Sequence, residues 1–532
     1  MPLKYDFDLL CHQVITHNAR VFANDLAVVC EGRRLTWREV DEETNRFANA
    51  LLDSGLRHGD RVALLMSAGL DSFIAFWGVI KAGLVSVPLN VLLDTGSLAR
   101  LLGDSRARAV IANSGTTATL DSIRDRLPSV EDGRYLTAGE ESEGWTSVTV
   151  LAAAASAAAP PVTIGPDDSI TVLYTSGTTG IPKGIEHSHF SRLMYPLGFG
   201  MGLRVDHSSV AIVATPPYAS GTWITMMPTM YRGGTLVILP KFSASAFLSA
   251  VEQEHGTHAF LVPTQFIALL NEPRLADSDV SSMRCLVTSG QPIAETTYQA
   301  LERTFAGTGI YEVYGFSEGF ATLRIPGDAD RGKRRSVGKP VLLDDVRIIS
   351  GTDGRELPPG EIGEIVAHSV GMMKGYLDNP ELTEEIIWYS PETGRSYMRS
   401  GDVGYLDEDG YLYVSGRAKD MIKSGGLNIF AADIEEVFMA HPDVLEVAAI
   451  GLPDPKWGET PLLVVIPRPG SDLTEEDLRA WGDGKLARYQ RPSRIVFRED
   501  LPRAVYGKVR KDALREEFGT GASLELSGGQ NS

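Results

Sequence analysis

Between residues 169 and 320, short apolar runs alternate with longer helical patterns: SITVLYT, HSHFSRLMYPLG, VAIVATPP, WITMMPTMY, TLVILP, AFLSAVEQEHG, HAFLVP, MRCLVTS, YQALERTF and IYEVYG. Strand-like runs separated by helical ones predict parallel sheets with crossover helices. An earlier block, RVALLMS, FIAFWGVIKAG, LVSVPLN and ARAVIANS, repeats the pattern. The first 320 or so residues are therefore expected to be doubly wound α/β. Between the blocks, the low-complexity LAAAASAAAPP (residues 151–161) reads as a surface connector or a helical end. From Val337 to Arg417 the period changes to short alternating strands such as DVRIIS, GEIVAHS and GYLYVSGR, which predict a small β-barrel-like subdomain. After Lys419, IEEVFMAHP, EVAAIGL, PLLVVIPRP, TEEDLRAWGDGKLA and RIVFRED predict a compact α+β unit. The expected division is a large N-terminal domain over 1–418 with its β-rich part at 337–417, a small C-terminal domain over 419–518, and a disordered tail over 519–532, GTGASLELSGGQNS.

Length and composition narrow the class. A chain of 532 residues outgrows a single hydrophobic core, and 43% hydrophobic with 22% charged residues is ordinary for a globular protein. The net charge of -19 sets the overall field against DNA and RNA, so no nucleic-acid partner is expected. An anionic nucleotide remains compatible with it, provided that backbone amides, lysine and a metal create local positive potential. Three cysteines, Cys11, Cys30 and Cys285, in no metal-ligand spacing fit a reducing compartment, and the cytoplasm is expected. The most apolar stretch, Phe73 to Leu93, is interrupted by Lys81 and Asn90, so no membrane span is expected.

The strongest chemical signal is Tyr174 to Gly184, YTSGTTGIPKG, directly after the apolar SITVL. Gly177, Gly180 and Gly184 permit close backbone approach to a ligand, Thr175, Ser176, Thr178 and Thr179 bring hydroxyls, and Lys183 brings charge. Such a loop can wrap terminal phosphates. It departs from the Walker pattern, since Lys183 is followed by Gly184 and not by Ser or Thr. The string resembles the phosphate loop of the ANL superfamily of adenylate-forming enzymes: acyl-CoA synthetases, nonribosomal peptide adenylation domains and firefly-type luciferases.

Five further segments resemble motifs of that superfamily. YGFSE at Tyr314 resembles YGxTE, which implies that Tyr314 stacks on adenine, Ser317 donates to the α-phosphate and Glu318 helps to hold Mg²⁺. An aromatic face suits a purine, and a hard cation takes carboxylate oxygen. Upstream, SGQPI resembles an adenine-side loop, with Gly290, Gln291 and Pro292 bordering the base. Ser400, Gly401 and Asp402 resemble the segment whose Asp accepts from both ribose hydroxyls. GRAKDMIKSGGLNI resembles the interdomain segment, implying that Arg417 reaches the ribose or phosphate and that Lys419 is a hinge about which the small domain turns. LPRAVYGKVRK resembles the segment that carries the adenylation lysine, here Lys508, with Ala504 where Thr is usual.

The resemblance implies ATP, Mg²⁺ and CoA as cofactors and a small-molecule carboxylic acid as substrate. Lys508 would bridge the carboxylate and the α-phosphate, with Ser317 donating to that phosphate, while Mg²⁺ held near Glu318 and the loop around Lys183 draw charge onto the departing pyrophosphate. Ser424, Gly425 and Gly426 would then pass the pantetheine arm of CoA, since two adjacent glycines leave room beside the backbone. The acyl pocket would be drawn from Tyr218, Ala219, Gly221, Trp223 and Met226, with Phe316, Gly319 and Phe320. No Asp or Glu lies in TPPYASGTWITMM, which disfavours an α-amino acid because a buried ammonium needs a partner. Aromatic, alicyclic and fatty acids all remain open. The rival readings are a standalone adenylation enzyme loading an acyl carrier protein, a luciferase-like oxygenase and a non-catalytic nucleotide-binding protein. A homodimer is compatible with the sequence.

Overall fold

The computed structural model describes residues 10–131, 133–139, 142–175, 183–216, 218–291, 293–503 and 509–525. Two large sheets with parallel centres dominate the first 340 residues. One runs Gly375–Tyr376, Lys183–Ser188, Ser169–Thr175, Val85–Pro88, Arg61–Leu65, Ala109–Ala112, Tyr135–Thr137, Thr146–Ser147 in spatial order. The other runs Lys339–Pro340, Phe320–Arg324, Gly309–Phe316, Cys285–Ser289, His258–Phe260, Val210–Val213, Thr235–Ile238, Leu26–Cys30, Arg33–Thr36. Helices Trp37–Asp53, Leu70–Lys81 and Trp223–Tyr231 share one apolar core with both sheets. Leu70–Lys81 is buried along its whole length except at Asp71, as expected for a helix that is apolar all round.

The interruption at Lys81 is a packing device. Its ammonium is buried and bonded to Asp41 Oδ1 at 2.6 Å and Asn45 Oδ1 at 2.8 Å. The alanine-rich segment is helical from Val148 to Ala154, then extended, and its carbonyls are strapped down by Asn45, Arg46 and Asn49 of Trp37–Asp53. Among the described residues no helix is long and apolar enough to cross a membrane.

The β-rich region forms its own five-stranded antiparallel sheet from Asp345–Ile349 to Leu412–Arg417. Lys339–Pro340, expected within it from position 337 onward, instead pairs with Phe320–Arg324 at the edge of the larger sheet. A fourth sheet, of Ile422–Ser424, Leu427–Ile429, Val444–Asp454, Gly458–Pro467 and Arg494–Phe497, carries the helices that follow Lys419. The last helix runs from Lys511 to Glu525, beyond the expected boundary at 518, because Leu514 and Phe518 anchor it against Ala448, Ile450 and Val464.

One buried ion pair locks the sheet edge that bears the site. Arg324 and Glu312 are cross-strand partners, with side chains 2% and 13% exposed and Nη2 to Oε2 at 2.6 Å. Arg324→Met should destabilise the protein by about 3–5 kcal/mol, because Glu312 would be left buried and unpaired. Adding Glu312→Gln should restore most of the loss. Urea midpoints of the single and double variants check this, and equal midpoints would contradict it.

Candidate active site

Among the described residues, Gly290, Gln291 and Tyr314 lie together at the carboxyl ends of neighbouring parallel strands, where open α/β sheets bind ligands. Cys285–Ser289 ends beside Gly309–Phe316 with Ser289 opposite Val313, so Gly290 and Gln291 emerge next to Tyr314. Gly290 takes φ +92°, a turn conformation that favours glycine. Phe316 pairs with Phe320, which makes Ser317, Glu318 and Gly319 the three-residue tip of a hairpin. Gly319 takes φ +120°, and a Cβ there would lie 2.2 Å from the Gly371 carbonyl oxygen, so only glycine fits.

Asp402 is the buried centre of this group. Its Oδ2 accepts the Tyr314 hydroxyl at 2.7 Å and its Oδ1 meets Arg417 Nε at 2.7 Å. Burial, reinforced by the Asp402 charge, holds the Tyr314 phenol well above its usual value, so it stays a donor. A carboxylate is the natural acceptor for a vicinal diol. Ser400 Oγ receives the Asp402 N–H at 3.0 Å and fixes the turn.

A second chain links the two large sheets. Tyr376 donates to Glu318 Oε1 at 2.9 Å, while Lys183 Nζ lies 4.9 Å from the centre of its ring. Burial and the Glu318 charge push this phenol up as well. Behind the hairpin, His187 Nε2 bonds the Ser317 carbonyl at 2.8 Å and Arg192 Nη2 meets its Nδ1 at 3.2 Å. Burial, then the Arg192 charge, drives His187 well below its usual value. The neutral ring therefore donates from Nε2 and accepts at Nδ1, a tautomer fixed by its partners. Ser317 Oγ meets Ser220 Oγ at 3.1 Å. Tyr376, His187 and Ser220 escaped the sequence reading, because each acts only through a partner distant in the chain.

Thr175 ends the strand Ser169–Thr175, and the expected phosphate-loop residues Ser176, Gly177, Thr178, Thr179 and Gly180 lie outside the described residues, as do Pro292 and Lys508. Lys419 sits in the short 3₁₀ turn Ala418–Asp420 that joins the last strand of the β-rich sheet to the small domain. Gly425 and Gly426, at φ +58° and +81°, close a tight hairpin between Ile422–Ser424 and Leu427–Ile429. Gly425 donates its N–H to the Trp457 carbonyl at 2.7 Å, and a Cβ would meet the Trp457 ring at 2.9 Å.

The residues expected to form the acyl wall lie in different surroundings. Trp223 and Met226 are core residues of the helix packed between the two large sheets, and Phe320 is enclosed with Val346, Ile348 and Ile365. Their hydrophobicity serves packing, since a helix covered on both sides has no open face. Gly221 faces Phe260, whose ring a Cβ would meet at 2.3 Å. Tyr218 and Ala219 are half-buried on the loop after Val210–Val213, and burial raises the Tyr218 phenol to about 12. Phe316 packs 5.5 Å from the Phe320 ring. A narrow cavity does open beside Gly319, lined mainly by Tyr195, Phe199, Ala321, Leu342, Asp344 and Ser369.

This two-sheet scaffold with a small following domain and a nucleotide-type cluster at the strand ends defines an adenylating class of architecture, and comparison with known proteins agrees. The model of the AMP-binding enzyme family matches residues 15–377, and that of the AMP-binding enzyme C-terminal domain matches 433–508. A feruloyl-CoA synthase of an Amycolatopsis species is 34% identical over 505 residues, covering 94% of this chain and 97% of that protein. The long-chain-fatty-acid–CoA ligase FadD13 of Mycobacterium tuberculosis is 33% identical over 495 residues, covering 91% and 93%. The solved anthranilate CoA ligase AuaEII, in complex with anthranoyl-AMP, superposes with a TM-score of 0.86 at 27% identity over 97% of this chain and 98% of that one. The chain belongs to the AMP-binding enzyme family, within the ANL superfamily of adenylate-forming enzymes.

Proposed function

We propose that the protein is an ATP-dependent carboxylic acid:CoA ligase, forming an acyl-adenylate with release of pyrophosphate and then an acyl-CoA thioester with release of AMP. The observation that carries this reading is the joint placement of Tyr314, Asp402 and Arg417 beside the Ser317–Glu318 hairpin tip. Tyr314 gives a face for adenine, Asp402 acceptors for the ribose diol, and Arg417 both orients Asp402 and adds positive charge. Ser317 is placed to donate to the α-phosphate, and Lys183 to offset charge on the departing group. The names of the feruloyl, long-chain and anthranilate relatives support CoA as acceptor over a carrier protein. Gly426, where an added Cβ would meet nothing within 4 Å, leaves room at the hairpin for its arm.

Magnesium fits the donor set. Glu318 offers carboxylate oxygen at the tip of the hairpin. A single carboxylate is what this ion takes when phosphates and water complete its shell. When bound, it would neutralise phosphate charge. We place the protein in the cytoplasm, in keeping with three buried free thiols.

The test is an acid panel with ATP and CoA in which AMP and thioester are measured together. Stoichiometric AMP and thioester for particular acids is expected. AMP without thioester would replace CoA by a carrier protein, and no acid-dependent AMP would end the adenylation reading.

A further inference from the structure

On the turn after Lys339–Pro340 the usual polarity is inverted. Leu342 and Leu343 are 46% and 57% exposed, whereas the next residue, Asp344, turns inward to line the cavity beside Gly319. Leu343 adopts φ +67° to make the turn, a left-handed conformation that is costly for a branched side chain. The arrangement leaves apolar surface in water and takes a carboxyl out of it, and such breaches of local rules gather at functional sites. The carboxyl is held in a fixed orientation, because Asp344 Oδ2 accepts the Ala321 N–H at 3.0 Å and the buried Ser369 hydroxyl bonds the same group. Burial pushes it up to about 7, and no basic side chain among the described residues opposes that effect.

The cavity adjoins the reacting end of the site, since its Gly319 directly follows Ser317 and Glu318. Its walls also continue toward the loop expected to receive the acid: Phe199 and Ala321 pack in one cluster with Ile224 and Phe260, against Tyr195. The space amounts to about 10 Å³, about one water's worth, which admits a small polar substituent and not an alkyl tail. A rigid ring presents such a group at a fixed distance, whereas a flexible chain would lose conformational freedom in doing so.

We propose that Asp344 is a specificity-determining residue that accepts a hydrogen bond from a hydroxyl or amino group carried by the acid. The favoured substrates are then hydroxy- or amino-substituted aromatic acids. This rests on the ligase reading, and its test separates the two.

The rate of AMP formation at saturating ATP and CoA is measured for matched acids: benzoate with its 3- and 4-hydroxy and 4-amino derivatives, cinnamate with its 3- and 4-hydroxy and 4-methoxy derivatives, and decanoate. In the ring series that fits, the donor-bearing acid should exceed its unsubstituted parent by about 10- to 100-fold in kcat/KM, as for a hydrogen bond to an ionisable group. The methoxy acid, which cannot donate, should share none of the gain. Asp344→Leu should bring the ratio close to one. Asp344→Asn, which can still accept from Ala321 but presents an N–H to the ligand, should shift preference toward the methoxy acid. Absence of any donor advantage in the native enzyme, or a ratio that survives Asp344→Leu in protein with a native thermal transition, would overturn the proposal and leave the ligase reading standing. If no acid yields AMP, both fall.

Discussion

Lys508→Ala should lower adenylate formation by at least about 10²- to 10³-fold, while CoA-thioester formation from supplied acyl-adenylate stays within a few-fold of native. The asymmetry follows from where charge builds up. In the first half-reaction a carboxylate oxyanion attacks a polyanionic nucleotide, so nucleophile and electrophile repel each other until a cation bridges them. Thiol attack on the neutral adenylate carbonyl has no such barrier, and in the proposed site its leaving group would already be held by Asp402 and Arg417. Both flanks of Lys508 are anchored to the small domain. Arg503 pairs with Glu446 and bridges to Val509, while Leu501 and Leu514 are buried on the sheet. Removing a side chain between such anchors should leave the fold intact. Acid-dependent pyrophosphate release measures the first step, and AMP release from synthetic adenylate with CoA measures the second. Loss of both to the same degree would show that Lys508 serves the structure and not the adenylation chemistry.

The layered α/β architecture was legible because period and punctuation repeat along the chain. The strands of the second sheet from Val210 to Phe316 coincide with apolar runs and most of its crossovers with helical patterns, but the crossover helix Pro263–Leu270 lies in a stretch where no helical pattern was read. Tyr314 and Asp402 were legible as separate motifs, but only folding shows their 2.7 Å contact across 88 positions. Tyr376 was not legible at all. Its place is created by pairing of Gly375–Tyr376 with Lys183–Ser188, about half the large domain earlier, and nothing local marks it. Trp223 and Met226 mark a limit of the sequence: apolar residues in a helix look the same whether the helix faces a ligand or a second sheet. The end of the last helix was not legible either, because Leu514 and Phe518 hold it through tertiary packing that the local sequence does not show. Asp344 stood beside Asp345 in a polar pair, and only the left-handed Leu343 reveals which of its neighbours face water.

The juxtaposition of Lys183, Tyr376 and Glu318 leads to the second large effect. Glu318→Gln should reduce kcat/KM for ATP by about 10²- to 10³-fold and move magnesium half-saturation at least about tenfold higher. Glutamine keeps an amide oxygen where Glu318 Oε1 accepts the Tyr376 hydroxyl at 2.9 Å, so the hairpin tip should retain its shape. What disappears is the negative charge that a divalent cation requires of a protein ligand. Tyr376→Phe separates orientation from charge. The ring under Lys183 remains, the carboxylate remains, and only the hydroxyl that aims it is lost, so a smaller loss of about 10- to 100-fold is expected. Titrating magnesium at fixed ATP for both variants distinguishes the roles. An unchanged magnesium dependence in Glu318→Gln would mean that its carboxylate only braces Tyr376, in which case the two substitutions should be equally damaging and their combination no worse than either.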